Sequence, residues 1–221
     1  MIESTSIDLG SLEAAAGNAA FVMALRGRGL RDTAVLRAME QVPREAFAPP
    51  QLREHARRDI ALPLPCGASM TAPSTVALML ALLRVEPGQR VLEIGTGSGY
   101  VTALLARLGA SAVLSLERSV TLAVEATRRL AALPEAHVVR ADGLASELPD
   151  GGFDRILVHG SVEAIPPHWR AALEPGGRLV TGLSSGDGLC RAAILASPET
   201  DAEPGAPVRL AALVPGLARA L

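Results

Sequence analysis

Val91-Leu-Glu-Ile-Gly-Thr-Gly-Ser-Gly-Tyr100 joins an apolar run to a helical pattern through Gly95, Gly97 and Gly99. Glycines at such a junction let the backbone turn sharply and let a ligand approach the main chain closely. The spacing discriminates between ligands. A dinucleotide fingerprint, Gly-x-Gly-x-x-Gly, needs glycine at position 100, which is Tyr. The pattern is Gly-x-Gly-x-Gly, preceded by Glu93 near the end of the apolar run. An acid there suits a cationic group and would sit badly beside a pyrophosphate.

Working outward, short apolar runs alternate with helical periodicity. Strands are expected at 90–95, 112–117, 136–140, 153–159 and 177–183, with helices near 74–83, 99–108, 119–132 and 167–173. Strand alternating with helix implies an α/β fold: a doubly wound, mainly parallel, Rossmann-like sheet with helices on both faces. LCRAAIL (189–195) and VRLAAL (208–213) read as two final strands, with PETDAEPGAP (198–207) as an exposed hairpin loop. Residues 11–42 read as two helices forming an N-terminal extension, with Ser11 and Asp32 as N-caps. The prolines of VPREAFAPP (42–50) end the second. RRDIALPLPCGASMTAP (57–73) is irregular, and loops of that kind are often functional. The expected division is 1–73, helices and loop packed on the core, and 74–221, the ligand-binding domain.

Hydrophobic residues make up 49% of the 221-residue chain and aromatics 2%, so the core is aliphatic. A net charge of -2 does not indicate a general nucleic-acid-binding face. Cys66 and Cys190 suggest neither a disulfide framework nor a metal site, and no metal is expected. The acidic start MIESTSIDLG does not read as a signal peptide, and no apolar run is long enough to span a membrane. A cytoplasmic monomer is expected.

Two further acids extend the glycine turn into a constellation. Glu117 ends the second strand, 22 residues after Gly95, where an acid can take both ribose hydroxyls. Asp142 follows the third strand, placed to meet an adenine amino group; alone, it equally suits a helix or turn cap. Acid, three glycines and two downstream acids together resemble the cofactor motifs of S-adenosylmethionine-dependent methyltransferases. The expected cofactor set is Glu93, Gly95, Thr96, Gly97, Gly99, Tyr100, Glu117, Arg118, Asp142 and Gly143.

RGRGLRDTAVLRAMEQVPREAFAPP, DIALPLPCGASMTAPSTVA, RVLEIGTGSGY and FDRILVHGSVEAIPPHWRAALEPGGRLV narrow the likeness. Over roughly residues 20–183 the chain resembles the protein-L-isoaspartate O-methyltransferase family. That resemblance implies methyl transfer from S-adenosylmethionine to the carboxylate of isoaspartyl residues in damaged proteins. The product ester then cyclises to a succinimide, which begins repair. Where the family carries Gln-Thr-Ile-Ser-Gln-Pro, this chain has Ala68 to Pro73, with both amides lost and hydroxyls kept at Ser69 and Thr71. TGLSSGDG (181–188) also departs from the family's Pro-Val-Gly.

A carboxylate with a pKa of about 4 is ionised at neutral pH, so its methylation needs no general base. Alignment carries the catalysis and can contribute on the order of 7–11 kcal/mol. By the resemblance, Thr71 and Ser69 are the catalytic pair, Thr71 holding one carboxylate oxygen while the other attacks. Thr71 also suits a cap for the following helix, and Asp59 suits either loop orientation or an ordinary turn. His159 faces the ligand crevice as either a contact or a structural histidine, and Trp169 reads as an apolar anchor. Two other readings stay open. One is a relative that methylates a different peptide or small-molecule carboxylate. The other is a cofactor-binding module without turnover.

Overall fold

The computed structural model describes residues 9–145, 148, 152–185 and 189–218, with side chains from residue 16 onward. The opening MIESTSID, part of TGLSSGDG and the end of the VPGLARAL tail lie outside the described residues.

Helix α1 (Leu9–Gly27) begins ahead of Ser11, so that residue lies within the helix and is not its cap. Asp32 does cap α2 (Thr33–Gln41), its carboxylate accepting from the Val35 amide at 3.0 Å. Three short 3₁₀ turns (Arg44–Ala46, Pro50–His55, Pro65–Gly67) and a minimal hairpin follow, the hairpin formed by β1 (Leu62–Pro63) and β2 (Ser69–Met70). Prolines set each break, since they supply no amide to a regular ladder. Next come α3 (Pro73–Leu83), β3 (Arg90–Ile94), α4 (Tyr100–Arg107), β4 (Ala112–Glu117), α5 (Val120–Arg129) and β5 (Ala136–Arg140). The chain continues through β6 (Phe153–Val162), α6 (Pro167–Ala171), β7 (Leu173–Ser184), β8 (Cys190–Leu195) and β9 (Glu203–Pro207).

The seven-stranded sheet runs β5-β4-β3-β6-β7-β8-β9. Its first five strands are parallel, and β8 and β9 are antiparallel. The order reverses at β3, so the crevice beyond the carboxyl ends of β3 and β6 is the topological switch point, where open α/β sheets bind ligands.

Both faces are covered, and strand alternation shows how. Val91, Val113, Leu157 and Val180 enter one core with Leu25, Leu36, Met39, Leu80 and Leu104, so α1 and α2 pack on this face with α3, α4 and α5. Leu92, Ile94, Leu116, Ile156 and Leu179 enter the other with Trp169. By the same alternation Glu93 lies on the first face. Trp169 is wholly buried and anchors α6, and its indole also donates to the carbonyl of Gly143 at 2.7 Å.

One expected strand is displaced. Residues 208–213 form no strand, and β9 lies inside the segment read as a loop. Position explains the misreading. β9 is an exposed edge strand, where Pro204 and Pro207 are tolerated. The apolar run after it turns off the sheet edge and crosses the end of β6. The Ser161 amide donates to Ala211 O at 2.8 Å, and the Leu213 amide to Ser161 O at 2.9 Å. The apolar alternation of VRLAAL thus serves to cover the crevice.

Candidate active site

The turn after β3 is built by backbone requirement. Gly95 has φ +95°, and a Cβ there would lie 3.3 Å from Cβ of His159. Gly97 has φ +55°, and its amide donates to Oε2 of Glu117 at 2.8 Å. Oε1 of Glu117 accepts from the Ser119 amide at 2.9 Å, so this nearly buried carboxylate ties β4 to the turn. Thr96 is buried, its hydroxyl 2.5 Å from that of Ser115. Gly99 caps the start of α4. Tyr100 is buried against Phe47, ring centroids 5.6 Å apart, and burial raises its phenol far above the usual value. Its hydroxyl makes no hydrogen bond among the described residues.

Glu93 is fully buried. Oε2 accepts from the hydroxyls of Thr102 at 2.5 Å and Ser115 at 2.6 Å, and Oε1 lies 3.1 Å from Nε2 of His159. An unpaired carboxylate in such a place would be costly. Two hydroxyls and an imidazole surround this one.

The irregular loop between residues 57 and 73 is held from below by Arg44 of the VPRE segment. This buried guanidinium donates to four backbone carbonyls: Ala56, Ile60 at 3.4 Å, Met70 at 3.3 Å and Thr71 at 2.9 Å. Burial lowers its pKa to about 10, against the pull of the Tyr100, Asp59 and Glu45 charges. Asp59 caps α3, accepting from the Ser74 amide at 2.8 Å, and pairs with Arg28 at 2.8 Å. With that cap supplied by Asp59, the Thr71 hydroxyl is not engaged by the helix. Neither it nor the Ser69 hydroxyl makes a hydrogen bond among the described residues.

These parts converge on one cavity of about 210 Å³, lined on one side by Ser69 and Thr71 and on the other by Gly95, Gly97, Glu117 and Arg118. A smaller hollow of about 30 Å³ between loop and turn shares Ser69, Thr71, Gly95, Gly97 and His159, and is the one that Tyr100 reaches. Another, of about 40 Å³, adjoins Arg118, Asp142 and Gly143.

The family model for Protein-L-isoaspartate(D-aspartate) O-methyltransferase matches residues 16–194. The chain belongs to this protein-L-isoaspartate O-methyltransferase family. It is 42% identical over 207 residues to Protein-L-isoaspartate O-methyltransferase 2 of Rhodopseudomonas palustris (strain HaA2), covering 91% of this chain and 94% of that one. It is also 42% identical over 205 residues to a protein-L-isoaspartate O-methyltransferase of Bradyrhizobium sp. (strain ORS 278), covering 91% and 95%. A solved protein-L-isoaspartate O-methyltransferase shares the fold at TM-score 0.78 and 23% identity, covering 90% of this chain and 67% of the other. A putative one from Plasmodium falciparum, solved with S-adenosyl-L-homocysteine, shares it at TM-score 0.74 and 20% identity, covering 88% and 97%.

Several features of this family member escape a reading of residues alone. Arg44 sits in a quoted signature, but nothing local reveals that its partners are carbonyls 12 to 27 positions away. Ser115 carries a signal, a polar residue between Leu114 and Leu116 in a buried strand. The C-terminal segment forms a cavity wall through Arg209 to Val214 and Ala218. It is pinned where Gly216 donates to Oδ2 of Asp142 at 2.6 Å and accepts from Nε of Arg118 at 2.8 Å.

Proposed function

We propose that this chain methylates the free carboxylate of isoaspartyl residues in damaged proteins, using S-adenosylmethionine, and so initiates their repair. The observation that carries the reading is that Ser69 and Thr71, with their hydroxyls unengaged, line the same cavity as the Gly95–Gly97 turn. The residues fit the cofactor: a turn held at positive φ, where side chains are strained, buried carboxylates beside it, and a crevice at the switch point.

The proposed assignment follows the crevice. The turn Gly95, Thr96, Gly97 and Gly99 supplies close main-chain approach, with Tyr100 fixing the start of α4. Glu93 lends negative charge to the methionyl end. Glu117 takes the ribose, with Arg118 beside it, and Asp142 and Gly143 border the adenine.

When bound, the cofactor supplies a methyl group on a positively charged sulfur. The Thr71 hydroxyl, assisted by Ser69, donates to one oxygen of the acceptor carboxylate and turns the other toward the methyl carbon. A C–O bond forms as the C–S bond breaks, and no proton is transferred. The protein's contribution is orientation, within the range that alignment supplies. In this reading the enzyme acts as a cytoplasmic monomer, with residues 1–73 shaping the acceptor side and 74–221 the cofactor side. No helix among the described residues is long and apolar enough to cross a membrane.

The loss of both loop amides at Ala68 and Ala72 favours, as a second reading, a relative acting on another carboxylate. Methyl incorporation into an isoaspartyl peptide and its aspartyl counterpart decides. Strong preference for the isoaspartyl form is expected. Incorporation without that preference supports the second reading, and cofactor binding without incorporation into any carboxylate means a module without turnover.

A further inference from the structure

His159 lies where β6 loses register with β7, between Leu157 and Ser161. At that irregularity the Cβ and backbone carbonyl of His159 lie against Gly95, 3.3 and 3.5 Å from where a Cβ at position 95 would sit. The ring is 8% exposed and borders both the main cavity and the hollow between loop and turn. Nε2 and Oε1 of Glu93 are both buried, 3.1 Å apart, and neither has another partner among the described residues. Their angle falls short of a formed hydrogen bond. Nδ1 makes no hydrogen bond among the described residues and is not sealed from the cavity, since Nε2 is the ring's enclosed nitrogen.

Glu93 cannot reach a ligand itself, because its carboxylate is fully buried and two hydroxyls occupy one oxygen. The remaining oxygen requires a donor, and Nε2 is the polar atom that faces it. A proton on Nε2 makes Nδ1 an acceptor, since neutral imidazole carries one of each. A carboxylate behind the ring fixes that tautomer and the orientation of the outer nitrogen.

We propose that His159, positioned by Glu93, accepts a hydrogen bond from the ammonium of the cofactor's methionyl end. The inference rests on the S-adenosylmethionine reading of the cavity and gives Glu93 an indirect part in it. The methyl acceptor is the other charged ligand on this side. Its carboxylate has no proton to donate and would meet a lone pair at Nδ1. An ammonium supplies the matching N–H, and charge-assisted bonds of this kind are the stronger ones.

Calorimetry with S-adenosylhomocysteine and with 5′-methylthioadenosine, which lacks the amino-acid end, tests the assignment. His159→Gln keeps a donor for Glu93 through its amide nitrogen but removes the ring acceptor. This variant is expected to bind S-adenosylhomocysteine about 10-fold or more weakly while holding methylthioadenosine unchanged. His159→Asn, with an amide oxygen near the Nδ1 position, is expected to recover part of the loss. In the wild-type protein, imidazole ¹⁵N resonances should report an Nε2–H tautomer and a shift at Nδ1 with S-adenosylhomocysteine but not with methylthioadenosine. This arm holds even if a variant fails to fold. Equal weakening of both ligands would overturn the proposal, leaving the ring a shape element of the pocket. Unchanged S-adenosylhomocysteine affinity with a raised peptide KM would overturn it in favour of an acceptor contact. A wild-type protein that binds neither ligand would instead remove the cofactor reading itself.

Discussion

Nη2 of Arg44 donates to the backbone carbonyl of Thr71 at 2.9 Å, so a buried cation beneath the loop sets the height of a residue that lines the cavity. The same guanidinium reaches Ala56, Ile60 and Met70, binding both ends of the irregular segment to one point. Replacing Arg44 with Met keeps much of the volume and removes every donor. Buried carbonyls are then left unpaired, and a stability loss of roughly 3 kcal/mol is expected by chemical denaturation. Trypsin cleavage at Arg57 or Arg58 should accelerate in parallel. An unchanged denaturation midpoint would mean that the loop is held by something else.

Thr71→Val removes a hydroxyl while preserving shape. A hydrogen bond to a charged group contributes about 1.5–3 kcal/mol, so kcat on an isoaspartyl peptide should fall about 10- to 100-fold. Affinity for S-adenosylhomocysteine should stay nearly constant, because the hydroxyl caps no helix and makes no hydrogen bond to the turn among the described residues. Thr71→Ser should retain most of the activity. Matching losses in kcat and ligand affinity would make the residue structural.

Gly95→Ala places a methyl 3.3 Å from Cβ of His159 at a backbone φ of +95°. Strain of this type costs about 1–3 kcal/mol. The variant should melt earlier and lose the rise in Tm that S-adenosylhomocysteine confers on the wild type, as followed by differential scanning fluorimetry. Normal ligand stabilisation would show that the turn tolerates a side chain.

Asp142→Ala releases the amides of Leu144 and Gly216 together. The segment after β9 should then detach from the crevice, seen as faster trypsin cleavage after Arg209, an exposed residue in the cavity wall. S-adenosylhomocysteine affinity should fall as well. Unaltered proteolysis would show that Leu213 on Ser161, rather than the Asp142 clamp, retains the segment.

The central strands are legible in the sequence because parallel strands buried on both faces read as nearly continuous apolar runs, as in VLEI, interrupted only at Glu93, and ILV at 156–158. Glycine spacing marks the turn because the positive φ at Gly95, Gly97 and Gly99 is a requirement of the local backbone. Edge strands carry no such signature. β9 consists of exposed residues that include two prolines, and its pairing with β8 satisfies backbone groups with little help from side chains. The candidate site divides in the same way. Glu93 and Glu117 are found from their places at strand ends, whereas Arg44 and the Gly216–Asp142 clamp join distant positions through main-chain atoms. Only the folded arrangement identifies such partners.

That use of main-chain atoms has an evolutionary consequence. A carbonyl oxygen is the same for every amino acid, so the guanidinium under the loop is indifferent to the side chains above it. Residues 57–71 are therefore able to exchange amides for methyl groups, as at Ala68, while their path across the crevice stays put. Side chains along the loop can thus be exchanged one at a time while the frame that carries the Ser69 and Thr71 hydroxyls keeps its path.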